Sequence, residues 1–229
     1  MRRIKIVMLF FLSTYGLFAQ VSFNNPDEGG AVSFRTTDTR TYENEEDVAE
    51  GSQYWNDEFE NGEVYINDKL ELRGELRFNA YKSEINVKEN KYEFYSLLKR
   101  PYIHVKINNE VYKMQNYLDD EGSNRVAYFK ILNENSAVKL LFKPEIILKR
   151  GRTATTNYDR TSKPRYIRLP SYYIMKGDNP AEKTYLGKRN ILKVLGGNKD
   201  VYKVFIKEND LNMRDEEDVI RLLEYSATL

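Results

Sequence analysis

The sequence predicts an α+β fold, mainly an antiparallel β meander or open barrel with a small C-terminal cap of two or three short helices. Two observations support this prediction. From Gly51 to Lys176, short runs rich in Val, Ile, Tyr and Phe alternate with Asn, Asp and Gly turn residues at spacings of eight to twelve residues, a pattern typical of antiparallel sheets. After Lys176, apolar residues recur at spacings of three and four, which indicates amphipathic helices.

The chain begins with a segment that has the layout of a secretory signal peptide. Arg2, Arg3 and Lys5 precede a short apolar run that ends in small and polar residues, and cleavage is expected after Ala19. An uncleaved membrane anchor is the alternative, although the Ser, Thr, Gly and Asn residues within the first 25 positions disfavour it. Removal of the signal peptide takes away three positive charges and changes the formal net charge from +1 to −2.

The remaining chain divides into three parts. Residues 20–50 are expected to form a flexible acidic and polar leader, because they contain few apolar residues and show no sustained period. Residues 51–176 form the β region, and residues 177–229 contain a loop and the helical cap. No stretch after the signal peptide reaches transmembrane length, so we expect an exported protein in the periplasm, at the outer membrane or secreted, without a membrane span.

The β region is predicted to contain ten strands joined by short turns. Asn67-Asp68 and Asn108-Asn109 have the chemistry of tight hairpin turns, and residues 119–124 and 133–136 are predicted loops. The predicted strands are residues 63–66, 69–72, 75–80, 84–88, 91–97, 102–107, 110–115, 126–132, 137–148 and 166–175.

The stretch GELRFNAYKSEINV, residues 74–87, predicts one of these hairpins in detail. With a turn at Tyr81-Lys82, strand alternation places four apolar side chains on one face: Leu76, Phe78, Ile85 and Val87. The opposite face then carries the polar side chains Arg77, Asn79, Glu84 and Asn86. We interpret this polar row as the solvent side of the hairpin.

Two or three short helices are expected after the loop that follows Lys176. Gly196 is a helix stop, while Asn198 and Asn212 are the predicted N-caps of the second and third helices. Lysines are frequent on these helices, but the acidic run at 215–218 supplies opposing charge and the chain is predicted to be exported. We therefore do not expect a nucleic-acid partner.

Composition excludes several kinds of chemistry. The chain has no cysteine, which excludes disulfides, a thiol nucleophile and a cysteine zinc site. His104 is the single histidine, so a histidine metal cluster is impossible, and we interpret it as a surface strand residue beside Tyr102 and Lys106. No glycine-rich phosphate loop or dinucleotide motif occurs, and we expect neither a cofactor nor a metal.

Carboxylates leave one enzymatic hypothesis open. Glycoside hydrolases need two acids held across a cleft, and Glu84 is the best candidate because a strand would hold it rigidly. Its expected cross-strand partner is Asn79, which favours an ordinary polar cluster. The acidic loop 119–122 lacks the ligand spacing of an EF-hand, so we interpret it as a hairpin tip.

Charge is unevenly distributed along the chain. Residues 41–68 contain ten acidic side chains and no Lys or Arg, whereas residues 139–176 contain ten basic and two acidic ones. The two regions are either solvated surfaces of opposite sign or, in the case of the basic segment, a site for a glycan, a lipid head group or an acidic protein. The long loop predicted over residues 149–168 is the preferred contact, because such loops tend to carry function.

The candidate binding residues combine the basic loop with an aromatic side chain. Tyr172 is included because a tyrosine on the solvent side of a sheet can stack on a sugar ring. The candidates are Arg150, Arg152, Arg160, Lys163 and Tyr172. No catalytic residue is assigned.

Three stretches carry a resemblance to a protein family: GSQYWNDEFENGEVYIND, LRFNAYKSEINVKENKYEFYSLLK and the Lys-rich C-terminus NILKVLGGNKDVYKVFIKENDLNMRDEEDVIRLLEY. With its signal peptide, the chain resembles an uncharacterised family of exported Bacteroidetes proteins that share an RYNxYxxE-like strand pair. Phe78 stands at the second position of that pattern, where Tyr is common. The resemblance implies export to a Gram-negative envelope and carries no known activity.

The sequence thus favours an exported, non-enzymatic envelope protein that acts as an interaction or binding module for another protein or a glycan. A carboxylate-based hydrolase of glycan or cell-wall material is the alternative.

Overall fold

The computed structural model describes the backbone of residues 35–36 and the whole of residues 49–152 and 160–229. The predicted signal peptide and most of the predicted leader lie outside the described residues. The strands are β1 (Arg35–Thr36), β2 (Glu60–Ile66), β3 (Lys69–Asn79), β4 (Glu84–Lys88), β5 (Phe94–Leu97), β6 (Ile103–Ile107), β7 (Glu110–Leu118), β8 (Asn124–Ile131), β9 (Val138–Lys143), β10 (Ile146–Lys149), β11 (Arg165–Arg168), β12 (Ser171–Lys176) and β13 (Glu182–Thr184). The helices are α1 (Lys188–Leu195), α2 (Lys199–Glu208) and α3 (Glu216–Ser226).

Eleven of these strands form one antiparallel sheet in the order β1-β5-β4-β3-β2-β6-β7-β8-β9-β12-β13. Strands β2 to β5 form a meander, after which the chain returns so that β6 pairs with β2. The sheet curls at its C-terminal end, because Ala181 exchanges backbone hydrogen bonds with Asn116 and Leu118 of β7. The predicted α+β class, an open antiparallel sheet with a helical cap, is confirmed.

Two proline residues divide strands that the sequence predicted to be continuous. The predicted strand 137–148 is two strands, which separate at Pro144, and the predicted strand 166–175 is two strands, which separate at Pro170. Proline has no N–H group for a sheet hydrogen bond, so each strand ends where the proline stands. As a result, β10 and β11 leave the main sheet and pair with each other.

Other strand boundaries differ for local reasons. The predicted strands 69–72 and 75–80 are one strand, β3, which runs through Gly74. Strand β5 begins later than predicted, because the side chain of Asn90 accepts hydrogen bonds from the backbone N–H groups of Tyr92 and Glu93 and holds a turn there. Strand β13 lies within the stretch that was predicted to be a loop.

The hairpin of β3 and β4 has the predicted register. Leu76 faces Val87, Phe78 faces Ile85, and these four side chains lie in one hydrophobic core. The polar face does not have the expected environment. Asn79 is 3% exposed and Asn86 is 1% exposed, so the polar row is largely covered by protein rather than by water.

A short segment covers the β3 side of this polar face, and we call residues 49–57 the strap. Its backbone binds the end of β3 and the start of the turn: Trp55 N–H donates to the Phe78 carbonyl at 3.1 Å, and Tyr81 N–H donates to the Gln53 carbonyl at 3.2 Å. The Arg77 side chain donates to the Asp57 carbonyl at 2.8 Å.

Arg77, which lies in β3, also contacts aromatic rings of the strap and of the residues that follow it. Its guanidinium carbon lies 3.4 Å from the ring centre of Tyr54 and 4.2 Å from that of Phe59, which are cation–π distances. Burial lowers the pKa of the Arg77 guanidinium. Arg77 is therefore part of the packing of the fold.

The apolar side chains form three clusters. One contains the β3–β4 hairpin residues with Val64, Val105 and Tyr112. A second lies within the curled part of the sheet and includes Phe129 and Tyr173. The third joins the helices to β9 and β12, with these buried members: Leu140, Ile174, Ile191, Leu192, Leu195, Tyr202, Ile206, Leu211, Met213, Val219, Leu222 and Leu223.

The three helices have clear end signals. Gly196 follows α1 with a φ of 70°, and Asn198 caps α2 by accepting from the Asp200 N–H, as predicted. The predicted cap of α3 is wrong. Asp215 caps this helix by accepting from the N–H groups of Glu217 and Asp218, while Asn212 lies in the preceding turn.

Candidate functional site

The ribbon of β10 and β11, with its adjoining residues, is a strongly basic surface. We call residues 145–152 and 160–169 the basic arm. Its strands pair from Ile146 opposite Arg168 to Lys149 opposite Arg165. Arg152 and Ser162 exchange backbone hydrogen bonds of 2.9 and 2.8 Å further along. The prediction of a continuous loop over residues 149–168 is thus wrong at both ends.

One face of the basic arm packs against the core. Ile146 is buried, and its N–H donates to the Ala80 carbonyl at 3.3 Å. The Tyr166 ring meets the Tyr81 ring edge-on, with 5.4 Å between the ring centres. Alternation along each strand then turns the next residues outward.

The strap binds the edge of β11 that faces away from β10. Glu50 N–H donates to the Pro164 carbonyl at 2.8 Å, and Tyr166 N–H donates to the Glu50 carbonyl at 2.9 Å. Arg168 donates to the Trp55 carbonyl at 2.8 Å and lies 5.1 Å from the centre of its ring. The strap therefore contacts both the hairpin and the basic arm.

The basic arm has a strong excess of positive charge. Seven cations lie on it, and its one carboxylate, that of Glu145, accepts from Lys143 at 3.1 Å. The four predicted binding residues Arg150, Arg152, Arg160 and Lys163 are all exposed and lie together on the basic arm. Over residues 49–152 and 160–229, six of the cations form no ion pair with a described carboxylate: Lys149, Arg152, Arg160, Lys163, Arg165 and Arg168.

Tyr172, the fifth predicted binding residue, has a different environment. Its hydroxyl donates to the Glu216 carboxylate of α3, and its ring meets Phe142 edge-on at 5.3 Å. Burial, followed by the hydrogen bond to Glu216, raises the pKa of the Tyr172 hydroxyl. These contacts link the sheet to the helical cap, so Tyr172 is half-buried between them and does not join the four basic residues.

A second surface feature is a polar depression of about 700 Å³ over the paired residues Gly62 and Gly74. Its carboxylates are paired with cations: Glu63 accepts from Arg73 at 3.0 Å and Glu75 from Lys88 at 2.7 Å. The hydrogen bond from Tyr65, and then that from Arg73, lower the pKa of Glu63. A general acid in glycoside hydrolysis needs a raised pKa, so this arrangement does not favour acid catalysis.

Glu84 lies opposite Asn79 as predicted. Its carboxylate is 3.4 Å from the Lys99 ammonium and accepts from the Ser96 hydroxyl at 3.4 Å. These are the contacts of a cross-strand polar cluster.

His104 is less exposed than the sequence predicted. Its side chain is 13% exposed and stacks in parallel on the Tyr65 ring, with the ring centres 4.9 Å apart. Burial, and then the positive charge of Lys113, lower the pKa of His104. The neutral imidazole thus acts as a packing surface for Tyr65.

Sequence reasoning missed the outward-facing apolar residues of the basic arm. Ile147 is 41% exposed and Leu169 is 43% exposed, directly beside the cations. The two prolines at 144 and 170, which bracket this ribbon in the sequence, were the available signal that it leaves the main sheet.

Comparison with known proteins gives no relative: no protein-family model, curated protein or solved structure matches the chain. Within the described residues, no helix is both long and apolar enough to cross a bilayer. The same residues contain no group of three or more His, Asp or Glu side chains placed to hold a metal ion.

Proposed function

We propose that this chain is an exported, non-enzymatic envelope protein that acts as a binding module, with the basic arm as its contact surface for an anionic partner. The observation that carries the proposal is the collection of exposed cations on a ribbon whose inner face is fixed to the core. A fixed ribbon presents its charges in one arrangement, which lowers the entropy cost of binding. The signal-peptide layout and the resemblance to exported Bacteroidetes proteins support the location.

The carboxylates support binding over hydrolysis. The two acids of the polar depression, Glu63 and Glu75, are each paired with a cation, and Glu84 lies in a cross-strand cluster with Lys99. The hydrogen bond from Tyr65 lowers the pKa of Glu63, whereas a glycosidase needs one acid that keeps its proton.

Crosslinking in intact cells followed by mass spectrometry tests the proposal. The test variant replaces Arg150, Arg152, Arg160 and Lys163 with Gln. The control variant makes the same change in net charge on the helical cap, with Gln at these exposed positions: Lys188, Arg189, Lys193 and Lys199.

The expected result is a reproducible set of crosslinked envelope partners that the control keeps and the arm variant loses. Both variants must also be recovered from the envelope or secreted fractions in wild-type amounts. An arm variant that keeps all partners would show that the contact surface lies elsewhere. Recovery of the wild-type protein from the cytoplasm would refute the envelope location.

A further inference from the structure

The outward face of the basic arm carries two cross-strand pairs, one apolar and one cationic: Ile147 with Ile167, and Lys149 with Arg165. Strand alternation places all four side chains on the face opposite to buried Ile146. Leu169 continues this face by the same alternation and is exposed, whereas Ile167 is half-buried. The result is an apolar patch that directly adjoins a pair of positive charges.

The cationic pair is unusual because like charges that lie directly opposite each other destabilise a strand pair. Glu50 of the strap forms an isolated β-bridge with Arg165, but within the described residues its carboxylate forms no ion pair with the Arg165 guanidinium. Lys149 has no carboxylate opposite it in either strand. An anionic group bound at this row would remove the repulsion between Lys149 and Arg165.

The neighbouring apolar side chains favour a lipid bilayer over other anionic partners. An acidic peptide or a free phosphate would need only the cations. A bilayer surface would contact both the cations and the apolar side chains. Lipid phosphates bind the cations, while apolar side chains enter the boundary between head groups and acyl chains. Ile147, Ile167 and Leu169 lie where such an insertion would occur.

We propose that the outward face of the basic arm binds the surface of an anionic lipid bilayer, with Lys149 and Arg165 on lipid phosphates and the Ile147–Ile167 pair in the head-group region. The proposal deepens the function proposed above and rests on it, since it uses the same arm and names its partner. The protein would then associate with the membrane peripherally.

Vesicle co-sedimentation with the mature chain tests this proposal. The vesicles are neutral phosphatidylcholine alone, or phosphatidylcholine with about one third phosphatidylglycerol. The wild type should bind the anionic vesicles and leave the neutral ones unbound, and binding should weaken as NaCl rises from about 0.05 to 0.5 M.

Two double variants separate the two parts of the surface. Lys149→Gln with Arg165→Gln should reduce partitioning by about 30-fold, because each cation near an anionic surface contributes roughly fivefold. Ile147→Ser with Ile167→Ser should also reduce vesicle binding, but it should leave binding to a polyglutamate peptide unchanged. Lys193→Gln with Lys207→Gln, on exposed helical positions, is the control and should bind as the wild type does.

The fluorescence of Trp55, which is the single tryptophan and stacks on Arg168, reports whether each variant keeps the fold of the arm. Failure of the folded wild type to bind anionic vesicles would overturn the membrane proposal. If the Ile147→Ser, Ile167→Ser variant binds vesicles as the wild type does, and the wild type binds polyglutamate tightly, the partner is an acidic protein. In either case, loss of crosslinked partners in the arm variant would still support the binding function itself.

Discussion

Gly62 and Gly74 lie directly opposite each other in β2 and β3, yet a methyl group would meet different surroundings at the two positions. A Cβ atom on Gly62 would lie 2.6 Å from the backbone oxygen of Lys106 and 2.6 Å from a methyl carbon of Leu76. A Cβ atom on Gly74 would have no atom within 4 Å. Gly62→Ala and Gly74→Ala therefore form a matched pair with the same chemistry on neighbouring strands.

The expected magnitudes follow from these distances. The Leu76 side chain is fully buried and the Lys106 oxygen belongs to β6, so neither can move without cost. Overpacking of this kind costs typically about 1–3 kcal/mol. Replacing glycine by alanine without strain stabilises by about 0.4–1 kcal/mol, because the unfolded chain loses freedom. The two variants should then differ in their free energy of unfolding by about 2 kcal/mol, with Gly62→Ala the less stable.

Thermal and urea unfolding of the two variants measure this difference. For a chain of this size, about 2 kcal/mol corresponds to a separation in Tm of roughly 4–8 °C. Equal stability of the variants, or a gain for Gly62→Ala, would refute the close approach of β2 to β6 and to the Leu76 side chain. A large loss for Gly74→Ala would show that the depression over it is filled.

Three further predictions concern the helical cap and the single histidine. Asp215→Ala should cost about 1 kcal/mol because it removes the N-cap of α3, and Asn212→Ala should cost less; urea unfolding in which the order is reversed would make Asn212 the functional cap. Tyr172→Phe should cost about 1–2 kcal/mol through the lost hydrogen bond to Glu216, and a double-mutant cycle with Glu216→Gln that finds no coupling would contradict that contact. The lowered pKa of His104 means that the unfolded chain binds more protons than the folded one. Its contribution to stability is present above the unfolded pKa of about 6.5 and is lost as the pH falls toward the folded value. His104→Gln should flatten the stability curve below pH about 6.5, and curves that stay parallel would refute this role.

Local chemistry explains most of what the sequence predicted correctly. Asn67-Asp68 and Asn108-Asn109 have positive φ values at both residues, which is the conformation that their side chains tolerate in tight turns. The hairpin of β3 and β4 followed in the same way from alternation alone. These features depend on residues that are close in sequence.

Pairings between distant residues could not be predicted in this way. Nothing in the pattern of residues 60–66 indicates that β2 takes β6 as its second neighbour, because alternation predicts which face of a strand is buried but not which strand pairs with it. The same limit applies to the cover of the hairpin's polar face, where Asn79 donates to Gln53 of the strap and Asn86 donates to Ser96 of β5. Exposure inferred from polarity alone was therefore wrong for Asn79 and Asn86.

The candidate site was predictable in composition but not in geometry. The excess of cations over residues 139–176 was visible, and four candidate residues do lie on one ribbon. Tyr172 is separated from them because its partner, Glu216, comes from a helix 44 residues later in the chain.

The contacts between the strap and the basic arm also have a consequence for the order in which the chain folds. Arg168 and Trp55 are 113 residues apart, so joining them closes almost the whole β region into one loop at an entropy cost on the order of 4 kcal/mol. Local hairpins such as that of β6 and β7 close much shorter loops and can form earlier. A chain that emerges from its N-terminus therefore cannot complete the contacts between the strap and the basic arm until residue 168 has followed.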